Sequence, residues 1–315
     1  MKSFKNTVSV LACLAFAGAA AASDLLVGGS TGIMQRGHPV QGNFQFYGTC
    51  GGPIDSMTML GTKLYLGTDF GVVYVYDTLA DQVTNSFNVG NDITGLAVHN
   101  GQLLVSNSAG IIRRVNPVTG AVLATYNANM QVEAMVQLDG YLYVGGAAGS
   151  VHRADADVGT FSYFTCFCNG PINAMAIIGE RLYVMDTFNN VLNFRLSDGM
   201  WDGQFFSLPA AATAMVAEGS QLLIASANGT IRRVNPASGQ VLATMGATVN
   251  VQSMLLRNND ACPGDFDNDG FISGADFDLY VQAFEAGDLD ADHDGDGFVN
   301  GNDFDQYVLT FEQGC

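Results

Sequence analysis

Basic residues are scarce in this chain: 12 Lys and Arg stand against 30 Asp and Glu, and none of the 12 follows Arg257. Grip on nucleic acid needs a basic footprint to neutralise phosphates, so that class of partner is excluded. The acidity is also unevenly spread. Residues 258–315 hold fifteen acids and no base, whereas 24–257 hold fifteen acids and ten bases, for a net of −5. The overall −18 therefore describes one end of the molecule and says little about what the rest binds. Long apolar runs are missing too, except "VSVLACLAFAGAAAA" near the start. That run is too short for a bilayer-spanning helix. Lys2 and Lys5 precede it and the small residues Ala20 to Ser23 follow, the pattern of a secretory signal over residues 1–22. The protein is expected to be exported, to the extracellular space or the cell surface, with no transmembrane segment.

Signatures of catalysis are equally thin. His38, His99 and His152 are isolated, with no Ser or Cys nucleophile pattern beside them, and each reads as a surface or turn residue. No glycine-rich phosphate loop follows a strand and opens a helix. Catalytic residues are therefore assigned to none. Cysteine is sparse: after signal removal Cys50, Cys166, Cys168, Cys262 and Cys315 remain. An odd number leaves at least one free thiol or an intermolecular bond in a compartment that permits disulfides.

What is present in the acidic end is a beat. "DFDNDGFISGAD" at 265–276 and "DHDGDGFVNGND" at 292–303 superpose without a gap, 27 residues apart. Oxygen donors fall at positions one, three, five, nine and twelve: Asp265, Asp267, Asp269, Ser273 and Asp276, then Asp292, Asp294, Asp296, Asn300 and Asp303. Position six is glycine in both, for a sharp turn, and position seven (Phe271, Phe298) is placed to donate its backbone carbonyl. A hard cation wants six to eight oxygens and cancels the repulsion among carboxylates that a solvated linker would leave standing. Two calcium ions are therefore expected, one per loop of the EF-hand kind. Each loop runs into one aromatic helix, with Phe277, Tyr280, Val281 and Phe284, or Phe304, Tyr307, Val308 and Phe311, at i, i+3, i+4, i+7.

A duplicated loop–helix unit with Asp at the twelfth position resembles the type I dockerin over residues 262–315. That resemblance implies attachment to a cohesin-like or cell-surface protein. This chain departs from the family in its short spacing between loops and in Gly274-Ala275 and Gly301-Asn302, where the family carries a hydroxyl pair that helps choose the cohesin. Metal binding carries over more firmly than cohesin binding. Cys262 and Cys315 bracket the module, and the two-fold repetition of such modules brings their ends together, so these two are expected to pair. Closing a loop of that size stabilises by roughly 4 kcal/mol on the chain-entropy model.

The body, 24–257, has little helical periodicity and a clear repeat. The leucines of "DLLVG", "KLYLG", "QLLVS", "YLYVG", "RLYVM" and "QLLIA" fall at 25, 64, 103, 142, 182 and 222, every 39 or 40 residues. Each unit carries four short β runs, which makes it a blade of a β-propeller. The body begins on the second strand of a blade and ends, at "NVQSMLL", on a first strand. The predicted fold is mainly β: a six-bladed propeller closed by one strand from the C-terminal side and three from the N-terminal side, then the small helical module. A longer period overlies the first. Cys50 and Cys168 are equivalent at 118 residues, and "GIIRRVNPVTGAVLAT" matches "GTIRRVNPASGQVLAT" at 119, so the ring reads as two three-blade halves. The "NPVTG" and "NPASG" turns resemble those of quinoprotein-like and YVTN-type propeller repeats, a likeness of fold alone. A single Trp201 rules out the tryptophan-docking repeat of quinone-dependent dehydrogenases.

Propeller ligands sit where the innermost strands begin. The residue after the first apolar position of each opening strand is Asp55, Thr94, Glu133, Asn173, Thr213 or Gln252, all polar among apolar neighbours. A water-filled channel explains such a ring, and so does a site for a cation, a glycan's hydroxyls or a protein ligand. Arg113-Arg114 and Arg232-Arg233 lie on strands and read as anchors between blades. Two functions stand open: a secreted, non-catalytic binding or display propeller attached through its calcium module, and a dockerin-bearing polysaccharide hydrolase or lyase.

Overall fold

The forty-residue period folds into six four-stranded antiparallel sheets, and two helices follow them. The computed structural model describes residues 24–78, 80–166, 169–208, 211–257, 264, 266, 274–287, 291, 293 and 298–313. Five sheets are continuous in sequence, at 54–88, 93–127, 132–166, 172–207 and 212–246; they are blades two to six. Blade one is composite. Its innermost strand, β24 (Val251–Arg257), pairs with β1 (Asp24–Gly29), followed by β2 (Ile33–His38) and β3 (Gly42–Thr49). Leu25 faces Leu256, Leu26 faces Leu255 and Val27 faces Met254. The innermost strands of the six blades neighbour one another in a closed cycle, ending with β24 beside blade two. The expected one-plus-three closure is therefore the observed one.

The reason lies in how each strand is wetted. The second strand of every blade is sandwiched on both faces by neighbouring blades, so "KLYLGT" and "QLLIAS" are buried at five of six positions. Such strands read as unbroken apolar runs. The outermost strands face water and are spelled in Thr, Asn, Ser and Gln, as in "QVTNSFN". Six apolar clusters fill the spaces between blades. Met57, Met135, Met175, Met215 and Met254 hold one equivalent position on five innermost strands, where flexible thioethers fit uneven gaps. Gly120 and Gly239, which end the two repeated turns, have φ of 72° and 70°, and a Cβ on either would lie 2.5 Å from Phe87 or Phe206 of the preceding blade. Only glycine fits there.

The helices α1 (Gly274–Ala286) and α2 (Gly301–Gln313) meet through aromatic rings. Tyr280 and Tyr307 are fully buried and stacked, with centroids 3.6 Å apart and planes 7° from parallel. Phe277, Phe284, Phe304 and Phe311 pack around them, while Val281 and Val308 stand half-buried outside that cluster. None of the described helices is long and apolar enough to cross a membrane. Cys262 and Cys315 lie outside the described residues, as does Cys168; Cys50 is a free, half-buried thiol whose pKa burial raises.

Candidate functional site

A strand alternates its side chains, and alternation alone does not turn six particular residues into one channel. A bulge does. On all six innermost strands the ladder skips one residue at its start: Asp55 between Ile54 and Ser56, Thr94, Glu133, Asn173, Thr213, and Gln252 between Val251 and Ser253. An extra, unpaired residue twists the strand and re-aims its side chain. The six skipped positions are the six polar residues picked out by sequence, and all line one central cavity of about 680 Å³.

Two of the six are occupied with holding the blades together, and a third is bonded within its own blade. Asn173 donates to the carbonyl of Ala212 at 3.0 Å and Thr213 to that of Val251 at 2.7 Å, each reaching the next blade. The Thr94 hydroxyl lies 3.2 Å from that of Ser106. Asp55 and Glu133 are different. Asp55 accepts a hydrogen bond from the backbone N–H of Asp69, yet burial and the charges of Asp69 and Asp92 hold its pKa at about 6. Burial and Asp92 also raise Glu133. Asp69 and Asp92 line the same cavity, and Asp92 accepts a hydrogen bond of 2.7 Å from Ser108. No Lys or Arg lines the cavity among the described residues.

The two halves of the ring differ here in one direction. Displaced by 118 or 119 residues, Asp55 becomes Asn173, Asp69 becomes Thr187, Asp92 becomes Ala211 and Glu133 becomes Gln252. Each of the four acids that line the cavity has a neutral counterpart across the ring. Sequence reading found Asp55 and Glu133 and missed Asp69 and Asp92, which sit in loops between strands; subtracting one half of the repeat from the other would have found them.

Other expected roles are redistributed. Arg114 reaches from blade three to Asp157 of blade four at 3.2 Å, as an inter-blade anchor should. Arg232 and Arg233 stay within blade six, bonded to Ser226 and Glu218, because their partners lie on strands of their own sheet. His38 is a turn residue, its Nδ1 receiving the N–H groups of Val40 and Gln41. His99 is no surface residue: only 8 % exposed, it sits 3.2 Å from Asp157 across the blade boundary.

Of the twelve loop residues, Asp276, Phe298, Asn300 and Asp303 are described; Asp265, Asp267, Asp269, Phe271, Ser273, Asp292, Asp294 and Asp296 lie outside the described residues. Asp276 and Asp303 are both 0 % exposed, in the first turns of α1 and α2. The Asp303 carboxylate accepts the N–H of His293 at 2.9 Å and of Asn300 at 2.8 Å, tying position twelve of its loop to positions two and nine. Asn300 caps α2 through the N–H of Asn302 at 2.9 Å. Phe298 is exposed and Asn300 donates to its carbonyl at 3.2 Å. No group of three metal-ligating side chains is assembled among the described residues.

Fold and sites define a six-bladed β-propeller followed by a pair of helices. Solved structures agree on the first part. A computationally designed protein, Ika8, is 16% identical, with TM-score 0.51, over 73% of this chain and 78% of its own. A chain of a nidogen–laminin complex is 10% identical, with TM-score 0.63, over 75% of this chain and 98% of its own. At such identities the likeness is one of fold alone. No known protein family and no curated protein matches the sequence.

Proposed function

We propose that this is a secreted, non-catalytic binding propeller whose C-terminal loop–helix pair folds around two calcium ions and attaches it to an extracellular or cell-surface partner, as a dockerin does to a cohesin. The carrying observation is Asp303: a fully buried carboxylate, fixed by two loop N–H groups, in a segment of 58 residues without one Lys or Arg. Buried carboxylates call for compensation by a cation, and oxygen donors suit a hard one. Asp265, Asp267, Asp269, Ser273 and Asp276 would hold one ion with the Phe271 carbonyl. Asp292, Asp294, Asp296, Asn300 and Asp303 would hold the other with that of Phe298. When bound, calcium supplies charge compensation and folding energy, with no reaction attached. The acidic arc of Asp55, Asp69, Asp92 and Glu133 is the surface at which the propeller would take a glycan or protein ligand, and a chain of similar fold in a nidogen–laminin complex is a precedent for protein partners on such a scaffold.

The full chain, freed of metal and titrated with calcium in equilibrium dialysis, should bind two ions, and helical circular dichroism should rise with them. Failure to bind calcium would end this reading. Asp55 supports a second one: a carboxyl held at about 6 in the same cavity as a second raised acid, Glu133, is the material of acid–base chemistry on polysaccharide. Turnover on a glycan panel that Asp55→Asn abolishes would favour the enzyme; binding without turnover favours display.

A further inference from the structure

The helical module is wired in a loop. Its two repeats are related by 27 residues, which makes Tyr280 equivalent to Tyr307, Gly264 to Ala291 and Phe266 to His293. Each tyrosine serves the opposite repeat. Tyr280, on α1, donates its hydroxyl to the carbonyl of Ala291 at 3.3 Å, and Tyr307, on α2, donates to that of Gly264 at 3.2 Å. Those carbonyls immediately precede Asp292 and Asp265, the first residues of the two acidic loops. Both hydroxyls lie on fully buried side chains, where a lost partner is costly.

The second residue of each loop also touches both rings. Phe266 meets Tyr280 and Tyr307 edge-on at 5.4 and 6.1 Å, and His293 meets them at 6.4 and 5.7 Å. The last residue of each loop, Asp276 or Asp303, precedes its own tyrosine by four residues, one helical turn. The circuit therefore runs from loop one through Asp276 and Tyr280 to the entry of loop two, then through Asp303 and Tyr307 back to the entry of loop one. A tyrosine hydroxyl keeps its proton at physiological pH, so both remain donors.

We infer that Tyr280 and Tyr307 couple the two acidic loops, so that ordering of one by a divalent cation raises the affinity of the other. This rests on the calcium reading above. The alternative is two independent loops that happen to share a core. Coupling between sites in proteins commonly spans about 5- to 150-fold in affinity, and here it should reach about tenfold, since each loop entry is held by one buried hydroxyl. Tyr280 and Tyr307 touch no metal; they are positioning residues.

The test is a double-mutant cycle in the full chain, read by isothermal titration with calcium. Asp292→Ala should remove one site and weaken the remaining one about tenfold, and Asp265→Ala should do the converse. Tyr280→Phe with Tyr307→Phe keeps the stacked rings and removes both hydroxyls; in that background the same substitutions should change the remaining site less than about twofold. Saturating calcium with full helical dichroism certifies that the variant folds. Should the pair disrupt folding, each single Tyr→Phe change removes one of the two hydroxyl links and should lower the coupling by the same factor read from either site, because coupling is reciprocal. Undiminished coupling without the hydroxyls overturns the inference. So does an unaffected second site after Asp292→Ala in the parent chain; in both cases the calcium reading survives. A parent chain that binds no calcium removes both together.

Discussion

The propeller and the helical module solve the same problem, too much exposed edge, by opposite means. The propeller has six apolar clusters and a ring of strands in which β24 pairs with β1, so no innermost edge is left open. Its interior charges are few, and six of its ten Lys and Arg side chains form ion pairs with an Asp or Glu. Among its described residues the module has three fully buried apolar side chains, Tyr280, Ala291 and Tyr307, beside two fully buried carboxylates, and its sequence holds no Lys or Arg. A core that small rarely stabilises a chain unaided. One region is therefore held by closure, the other, on the calcium proposal, by compensation of buried charge, and perturbations should separate them.

Removing the closing strand should have the largest effect. Deletion of residues 251–257 exposes the apolar face of β1 and the neighbouring blades, and a propeller with an open innermost edge should aggregate or unfold without cooperativity. Size-exclusion chromatography and a thermal melt read this directly; a soluble, cooperative deletion would mean that closure is not what holds the ring. Asp303→Ala should be felt in the module alone. It removes two charge-assisted hydrogen bonds at a buried site, at a cost of about 3 kcal/mol. Helical dichroism at 222 nm should fall while the propeller melt stays in place, and a shifted propeller transition would break the separation.

Gly120→Ala or Gly239→Ala should act in the reverse sense, at a cost of about 2 kcal/mol each, because alanine is strained at positive φ and its methyl meets Phe87 or Phe206. The propeller transition should drop while the module's response to calcium holds. The smallest effect belongs to the acidic arc. The Asp55 carboxyl, held at about 6 in the folded protein, binds its proton more tightly folded than unfolded. The stability this contributes is complete below about pH 4, the unfolded value, and is lost as pH rises through about 6. Asp55→Asn should therefore match the parent at low pH and exceed it by about 1 kcal/mol above pH 7, after discounting for partial solvent screening. Parallel stability curves across that window would place Asp55 in ordinary solvent.

Several features were legible in sequence because they are periodic. The leucine spacing reports a strand buried on both faces, and its offset at the two ends of the body reports the composite blade. The polar residue after each opening apolar position reports a bulge, although nothing in an alternating pattern names it as one. The acidic arc was half legible: Asp55 and Glu133 share the period, whereas Asp69 and Asp92 stand in loops, where local sequence carries no constraint on which side chains converge.

By itself, then, the sequence determined the number of blades, the closure and the pair of C-terminal helices, since each follows from a repeat whose copies must bury equivalent faces. Tertiary structure alone decided which polar residues brace the blades and which keep an unshared charge, because Asn173 and Thr213 find the carbonyls of the next blade only once the ring is closed. It alone decided that each tyrosine serves the other repeat's loop, because stacking two copies face to face carries every hydroxyl past its own helix to its neighbour.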